Sequence, residues 1–289
     1  MSTTIAQVYI DTFESNLRHV AQQETAKLLP WVQVRGEESL DHNWEKLAAS
    51  DASAKSSRKQ ATPDSDTAWS RRVAVSQVWD NGESTELEDP TMMMVDPNSN
   101  LVRSLGYSMR RAQDDVIITA ATADALNGDG STTAVAAGQI IGDYTTPIDF
   151  DSITAIQEIF MKNDIDPSVP KVAVVGPTQV RKLMQLTENV SSDYVHAQAL
   201  QQYGIAPNWL GFTWINSTRL NYPTAVGDDV DCLFFTQEAM GLNMPKNITA
   251  EVAKDPSISF AWRLYCWMNL GAVRVQDEHF VWAKYADTI

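Results

Sequence analysis

The sequence has few of the residues that build metal centres and disulfide frameworks. Only two of its 289 residues are cysteines and four are histidines. No histidine lies in an HExxH motif or close to a cysteine, so the usual spacing of zinc ligands is missing. Cys232 and Cys266 lie in strand-like apolar stretches, which is typical of buried thiols in a reducing compartment. The sequence therefore predicts neither a metal site nor a cofactor.

Long apolar runs and basic residues are also scarce. No stretch approaches the roughly 18 consecutive apolar residues of a membrane span, and the first residues lack the basic start of a secretory signal. The chain has 22 basic and 37 acidic residues, a net charge of −15. So acidic a chain is not expected to gain its affinity from the phosphates of a nucleic acid or an anionic lipid surface.

Motifs for catalysis are missing as well. The sequence contains no GxSxG nucleophile elbow. A strand-to-helix turn at Gly176-Pro177 resembles the place where α/β proteins bind phosphates, but neither glycine fingerprint is complete and Pro177 lacks one of the amides that would hold an anion. Adjacent carboxylates such as Asp114 and Asp115 point in different directions, which suits acid–base chemistry poorly. We therefore predict that the protein is not an enzyme.

The first ninety residues suggest two projecting segments. Residues 1–30 read as an amphipathic helical arm, with apolar residues at helical spacing that stop before Pro30: Ile5, Tyr9, Phe13, Leu17, Val20 and Leu28. Residues 31–90 read as a long hairpin, because 31–35 and 71–79 are strand-like while 48–68 are almost wholly small, polar or charged. A flexible linker is the alternative interpretation of the polar stretch.

A long helix is predicted next. Asp96 and Pro97 are a capping residue and a first-turn proline, and an apolar stripe then continues to Asn127-Gly128, so the helix is expected to be about 45 Å long. The expected inward-facing residues of this helix are Leu101, Leu105, Met109 and Val116. Its opposite face is charged and is expected to be solvated or ion-paired: Arg103, Arg110, Arg111, Asp114 and Asp115.

The remainder reads as α/β followed by strands. Helices are predicted at about 151–162 and from Pro177 through Leu186, and strands at 171–175, 211–215 and 231–235. Residues 258–285 are rich in aromatic and β-branched residues, which predicts returning antiparallel strands broken at Gly271 and around Asp277-Glu278.

The order of these parts resembles the major capsid protein of tailed bacteriophages, with the Hong Kong 97-type α+β fold. The resemblance spans nearly the whole chain and depends on the order and spacing of four stretches: 110–118 (RRAQDDVII), 172–177 (VAVVGP), 209–212 (WLGF) and 271–274 (GAVR). It implies an N-terminal arm (1–30), an extended loop formed by the long hairpin (31–90) and a peripheral domain with a spine helix (91–148). It further implies an α/β axial domain (149–245) and returning strands that complete both domains (246–289).

The resemblance also implies a function. Copies of the chain would assemble as hexamers and pentamers into the icosahedral shell around double-stranded DNA, which the shell contains without sequence-specific binding. It implies a separate scaffolding protein, a portal protein and a decoration protein as partners, assembly in the host cytoplasm, and final location in the virion. Two alternatives are an encapsulin-like compartment, which shares the fold, and, as the weakest, an α/β nucleotide-binding enzyme.

Basic residues of the hairpin are the candidate contacts between subunits, because the rest of the acidic chain offers carboxylates on a neighbour. The candidates are Lys55, Arg58, Lys59, Arg71 and Arg72. Reversing Arg71 and Arg72 to glutamate is expected to impair assembly while leaving the fold of the subunit intact, and high salt is expected to weaken association in the same direction.

Overall fold

The computed structural model describes residues 22–36, 39–52, 54–58, 60, 62, 64, 66–85, 97–185, 208–223 and 229–287. The α-helices of this part are α1 (Pro97–Thr122), α2 (Phe150–Lys162) and α3 (Pro177–Gln185). The strands are β1 (Gln33–Arg35), β2 (Asp41–Leu47), β3 (Trp69–Val75), β4 (Gln77–Thr85), β5 (Ala125–Leu126), β6 (Thr132–Thr133), β7 (Ile140–Ile141), β8 (Lys171–Val175), β9 (Asn208–Trp209), β10 (Phe212–Asn216), β11 (Asp229–Thr236), β12 (Met240–Asp255), β13 (Ala261–Arg274) and β14 (Phe280–Ala286).

The chain divides into two compact units. The first takes its described residues from 1–26, 78–112 and 246–269, and the second from 27–77, 113–245 and 270–289. Strands β1, β12, β13 and β4 form a four-stranded sheet in that order. A six-stranded sheet has the order β7-β14-β11-β8-β10-β9, and β2–β3 and β5–β6 are separate pairs.

In the first unit, the N-terminal half of α1 and the middle of β13 supply the buried apolar side chains. Leu105 and Met109 of α1 are 4% and 3% exposed, whereas Leu101 is half-buried. Buried residues of β13 alternate along the strand, at Leu264, Cys266 and Met268, as expected where one face of a sheet is covered. The helical spacing of apolar residues in α1 and their alternation in β13 therefore each place one apolar face in this core.

In the second unit, the six-stranded sheet is the centre of the core. Every residue of β8 is buried, and β8 runs parallel to β10 and antiparallel to β11. Helix α2 begins with a capping box between Asp149 and Ser152 and packs on the sheet through Phe160, whose ring centroid is 6.0 Å from that of Phe212. Full burial explains why β8 reads as a continuous apolar run rather than an alternating one.

The structure confirms the strand at 171–175 and the α+β class, and it moves several boundaries. Helix α1 ends at Thr122, not at Asn127, because the next residues pair as the β5–β6 hairpin around a turn at Asn127–Ser131. Residues 22–28 are not helical, so the expectation of a helix up to Leu28 is wrong there; residues 1–21 lie outside the described part. Strand β12, which is 16 residues long, begins at Met240, before the range of 246–289 in which returning strands were expected.

Strand β13 also continues through Gly271, where a break was predicted. A Cβ atom at this position would lie 2.2 Å from the carbonyl oxygen of Val75, so the absence of a side chain is what lets the backbone of residue 75 approach. The glycine marks close packing between two backbones rather than the end of a strand.

None of the helices in the described ranges is long and apolar enough to cross a membrane.

Candidate assembly surface

A hairpin lies within the predicted range of residues 31–90, although its first strand differs from the predicted one. Strands β2 and β3 are antiparallel, in register from Asp41–Val75 to Leu47–Trp69. Beyond them the amide of Ala48 donates to the carbonyl of Ala68 over 3.0 Å, so the chain leaves and re-enters the hairpin at adjacent points. The partner of β3 is β2 and not residues 31–35. Strand β1, which lies within 31–35, instead pairs in parallel with β12.

The base of the hairpin is packed into the second unit by Trp44. Its ring belongs to a buried cluster with Ala74, Ala125, Val273 and Val275. A Cβ atom at Gly241 would lie 2.6 Å from the indole, so this glycine makes room for the tryptophan. The hairpin is thereby fixed at its base, and we call residues 49–67, which connect its two strands, the tip.

Two buried arginines share one carboxylate beside this base. The Arg72 guanidinium donates to Asp277 Oδ2 over 2.7 Å and to Asn127 Oδ1 over 2.5 Å, and Arg274 Nε donates to Asp277 Oδ1 over 2.5 Å. The side chains of Arg72, Asp277 and Arg274 are only 10%, 16% and 0% exposed. We call these three residues the buried arginine cluster. It links strand β3 of the hairpin to the end of β13.

Arg274 also completes the end of the long helix. Its guanidinium donates to the carbonyls of Ala121 and Ala123, over 2.9 and 2.8 Å, and to that of Thr133 over 3.0 Å. The last carbonyls of a helix lack partners within it, and the dipole of the helix favours a cation there. One side chain therefore joins the end of α1 to the hairpin through Asp277.

The candidate interface residues fall into three different environments. Lys55 and Arg58 are exposed on the tip, whereas Lys59 lies outside the described residues. Arg71 is exposed and donates to Glu45 of the neighbouring strand over 2.7 Å. Arg72 is 8% exposed and paired as described above, so its reversal to glutamate would place two carboxylates together in a buried site. This burial argues against the expectation that the change leaves the fold intact.

The hairpin carries an exposed apolar pair that the sequence analysis overlooked. Leu47 and Trp69 face each other across the last strand pair and are 54% and 72% exposed. A tryptophan this exposed on the surface of a subunit is typical of a site that another protein covers. The signal was available in the sequence, since both residues directly flank the polar stretch.

A groove runs beside this pair. Its volume is about 670 Å³, and its lining is mostly polar. It is lined by Glu45, Lys46, Trp69, Ser70, Arg71, Arg72, Asn127, Gly128, Asp129 and Thr133. The lining charges are partly neutralised by pairs such as Lys46 with Glu278, 2.8 Å apart. Such a surface suits contact with a polar protein segment better than binding of a small apolar ligand.

The charged face of α1 is partly buried by the N-terminal segment. The Asp114 carboxylate, in a residue 1% exposed, accepts the backbone amides of Lys27 and Leu28 over 3.0 and 3.1 Å. These two hydrogen bonds hold the backbone at residues 27 and 28 against α1. Asp115 is ion-paired with Arg219, as expected from the sequence, and half-buried Val116 lies beside it.

The turn at Gly176 is closely packed by side chains. A Cβ atom there would lie 2.6 Å from Gln179 Oε1 and 3.5 Å from the Tyr222 hydroxyl, so side chains of the same chain occupy this position. In the described part of the chain, no group of three or more histidine, cysteine or acidic residues is placed to hold a metal ion.

Comparison with known proteins agrees with the fold. No curated protein sequence matches the chain. Among solved structures, the capsid of cyanophage P-SCSP1u has a TM-score of 0.76 at 15% identity, covering 99% of this chain and 95% of that one. The capsid of a native GTA particle has a TM-score of 0.74 at 12% identity, covering 98% of each chain. A structure of Mycobacterium phage Che8 has a TM-score of 0.71 at 16% identity, covering 94% and 96%.

These likenesses establish the Hong Kong 97-type capsid fold, and the sequence itself establishes the family. The profile of the phage capsid protein family matches residues 5–287, which is nearly the whole chain. It favours a phage shell over an enzyme or an encapsulin-like compartment. The chain is therefore a member of the phage capsid protein family, a structural protein whose copies form a virion shell.

Proposed function

We propose that this chain is the major subunit of the icosahedral shell of a tailed double-stranded DNA bacteriophage, present there as hexamers and pentamers. The observation that carries the proposal is the family match over residues 5–287. The exposed pair Leu47 and Trp69 at the end of the hairpin supports it, because a neighbouring subunit that covers these apolar side chains would bury their surface. The binding free energies of many weak contacts between subunits then add up in a closed shell.

Within this proposal the parts of the chain have separate roles. Residues 1–30 are the N-terminal arm, 31–90 the extended loop, 91–148 the peripheral domain and 149–245 the axial domain, and 246–289 return to complete both domains. Support comes from the β2–β3 hairpin, from the long helix α1 in the peripheral range and from strands β8–β11 of the six-stranded sheet in the axial range.

The proposed partners follow from the same role. A scaffolding protein, a portal protein and a decoration protein would complete the particle, and assembly would take place in the host cytoplasm. The packaged DNA would be contained without sequence-specific binding. The net charge of −15 supports this last point, because an acidic wall repels phosphates and leaves the genome free to enter and leave.

Electron microscopy of the purified chain tests the proposal. Expression of the chain with its assembly partners is expected to give closed icosahedral particles that package DNA. A small soluble species under all assembly conditions contradicts a shell function, and particles that enclose enzymes instead of DNA identify a protein compartment.

The exposed basic residues of the tip are expected to promote docking of neighbouring subunits. Lys55→Glu combined with Arg58→Glu should slow assembly at low salt, because a neighbouring copy carries a net charge of −15. Each exposed pair contributes only about 0–1 kcal/mol, but the contact recurs at every subunit boundary. Light scattering across a salt series measures the effect, and at about 1 M salt, where charges are screened within about 3 Å, variant and wild type should assemble alike.

A matched double reversal elsewhere provides the control. Lys162→Glu with Arg181→Glu makes the same change in net charge at two exposed positions on α2 and α3. Equal slowing by the control variant would show that total charge, and not the tip, governs the rate.

A further inference from the structure

The turn that precedes β14 contacts both strands of the β2–β3 hairpin. Lys46 of β2 pairs with Glu278 over 2.8 Å, and Arg72 of β3 pairs with the neighbouring residue, Asp277, over 2.7 Å. The turn itself is closed by a hydrogen bond of 3.1 Å from the Phe280 amide to the Asp277 carbonyl. Two consecutive residues of one turn therefore bind the two strands of the hairpin.

The next residue of this turn is a histidine whose side chain is largely buried. The His279 side chain is 17% exposed, and its Nε2 atom lies 3.6 Å from Glu238 Oε2. Its Nδ1 atom lies 2.8 Å from the Thr236 hydroxyl, and its carbonyl accepts the Thr236 amide over 3.1 Å. Burial lowers the pKa of His279, and the carboxylates of Glu238 and Glu278 oppose this effect only in part. The imidazole is therefore neutral at neutral pH.

The charges around this imidazole balance one another without it. Those that face it are Glu238 from the β11–β12 connection, Glu278 of its own turn and Lys46 from β2. The end of α2 also packs against the turn, where the Asn163 side-chain amide donates to the Glu278 carbonyl over 2.9 Å. A proton on His279 would add a positive charge that no carboxylate offsets. The balanced charges, with the adjoining buried arginine cluster included, are the carboxylates of Glu238, Asp277 and Glu278 and the cations of Lys46, Arg72 and Arg274.

We propose that protonation of His279 weakens the contact between this turn and the hairpin, so that pH controls how tightly the hairpin is bound to the rest of its subunit. An imidazolium attracts the Glu278 carboxylate and repels the Lys46 ammonium, which weakens the pair between them. The proposal goes beyond the shell function and does not depend on it, because the turn and the hairpin belong to the same chain.

The direction of the pH dependence follows from the lowered pKa of His279. Once released from the turn, an exposed histidine has a pKa of about 6.5. The open state of the contact therefore takes up a proton more readily than the closed state, and opening is favoured as the pH falls through about 6.5. Carboxylates remain mostly charged down to about pH 5, which separates this effect from acid denaturation.

Hydrogen exchange of the unassembled subunit tests the proposal, with rates corrected for the intrinsic effect of pH. From about pH 7.5 to about pH 5.5, on either side of the pKa of an exposed histidine, protection of the β2–β3 amides should fall about fivefold. Protection in β8, where every residue is buried, should not change. His279→Asn should abolish the response, because an asparagine amide can still bond to the Thr236 hydroxyl but takes up no proton.

His42→Asn is the matched control. His42 lies on the hairpin itself, with its ring centroid 4.2 Å from that of Trp44, and its replacement should leave the pH response in place. Lys46→Gln removes the ion pair on which the switch acts. It should lower the protection already at the higher pH, with little further change in acid.

Two results would overturn the proposal. One is unchanged protection of the wild-type hairpin over this pH range, which needs no variant to fold. The other is a response that His279→Asn keeps and His42→Asn loses. Shell yield plays no part in these readouts, so they are independent of the test of the proposed function.

Discussion

Replacing residues 49–67 by Asn-Gly is expected to leave a folded subunit that no longer closes into shells. Ala48 and Ala68 are already joined by a backbone hydrogen bond of 3.0 Å, so a two-residue turn can close the hairpin there. The buried contacts of Trp44 at its base remain. We therefore expect a thermal midpoint close to that of the wild type, together with complete loss of particles by negative-stain microscopy.

A variant that keeps the length of the tip but removes its basic charges distinguishes the contribution of length from that of charge. Lys55→Gln, Arg58→Gln and Lys59→Gln together should still give shells, with a weaker dependence of assembly on salt. If the shortened hairpin assembled as well as the wild type, the tip would not be part of an essential contact.

Asp277→Asn is expected to destabilise the subunit itself. The change leaves the buried cations of Arg72 and Arg274 without their shared carboxylate, and breaking a buried ion pair by removing one partner costs about 3–5 kcal/mol. For a chain of this size the thermal midpoint should fall by about 2–4 °C for each kcal/mol. Chemical denaturation of the unassembled subunit measures the loss directly.

The control for this prediction is an exposed ion pair of the same hairpin. Glu45→Gln removes the partner of Arg71, where the two side chains are 48% and 49% exposed, and exposed pairs contribute about 0–1 kcal/mol. Equal effects of the two changes would show that the buried arginine cluster contributes no more than a surface contact.

The sequence predicted those features that depend on local composition. Residues 48–68 lack large apolar side chains, so they were not expected to belong to a core, and the flanking strands end at Leu47 and resume at Trp69. Pro97 begins the long helix as predicted, because a proline is tolerated in the first turn of a helix. Local rules of this kind depend on neighbouring residues in the sequence and not on tertiary contacts.

Features that depend on distant partners were missed. Residues 31–35 were the predicted first strand of the hairpin, whereas residues 41–47 pair with β3, and this choice depends on the pocket that Ala125 and Val273 form around Trp44. The burial of Arg72 likewise depends on Asp277, 205 positions later in the chain. Such pairings arise from the tertiary fold and leave no local pattern.

The same distinction applies to the charged face of the long helix. The sequence placed Asp114 and Asp115 on a solvated or ion-paired face, and Asp115 does pair with Arg219. Asp114 instead accepts backbone amides from residues 27 and 28. Backbone donors carry no residue identity, so no reading of side-chain types could have found this contact.

The two cysteines make the protein suitable for selective chemical labelling. Cys232 and Cys266 are 0% and 3% exposed, and burial raises the pKa of both thiols, so both are poor nucleophiles at neutral pH. A cysteine introduced on the surface, for example Ser57→Cys on the tip of the hairpin, would react with a maleimide far faster than either native thiol. Fluorescent probes could then report the docking of the tip in real time, without removal of any native residue.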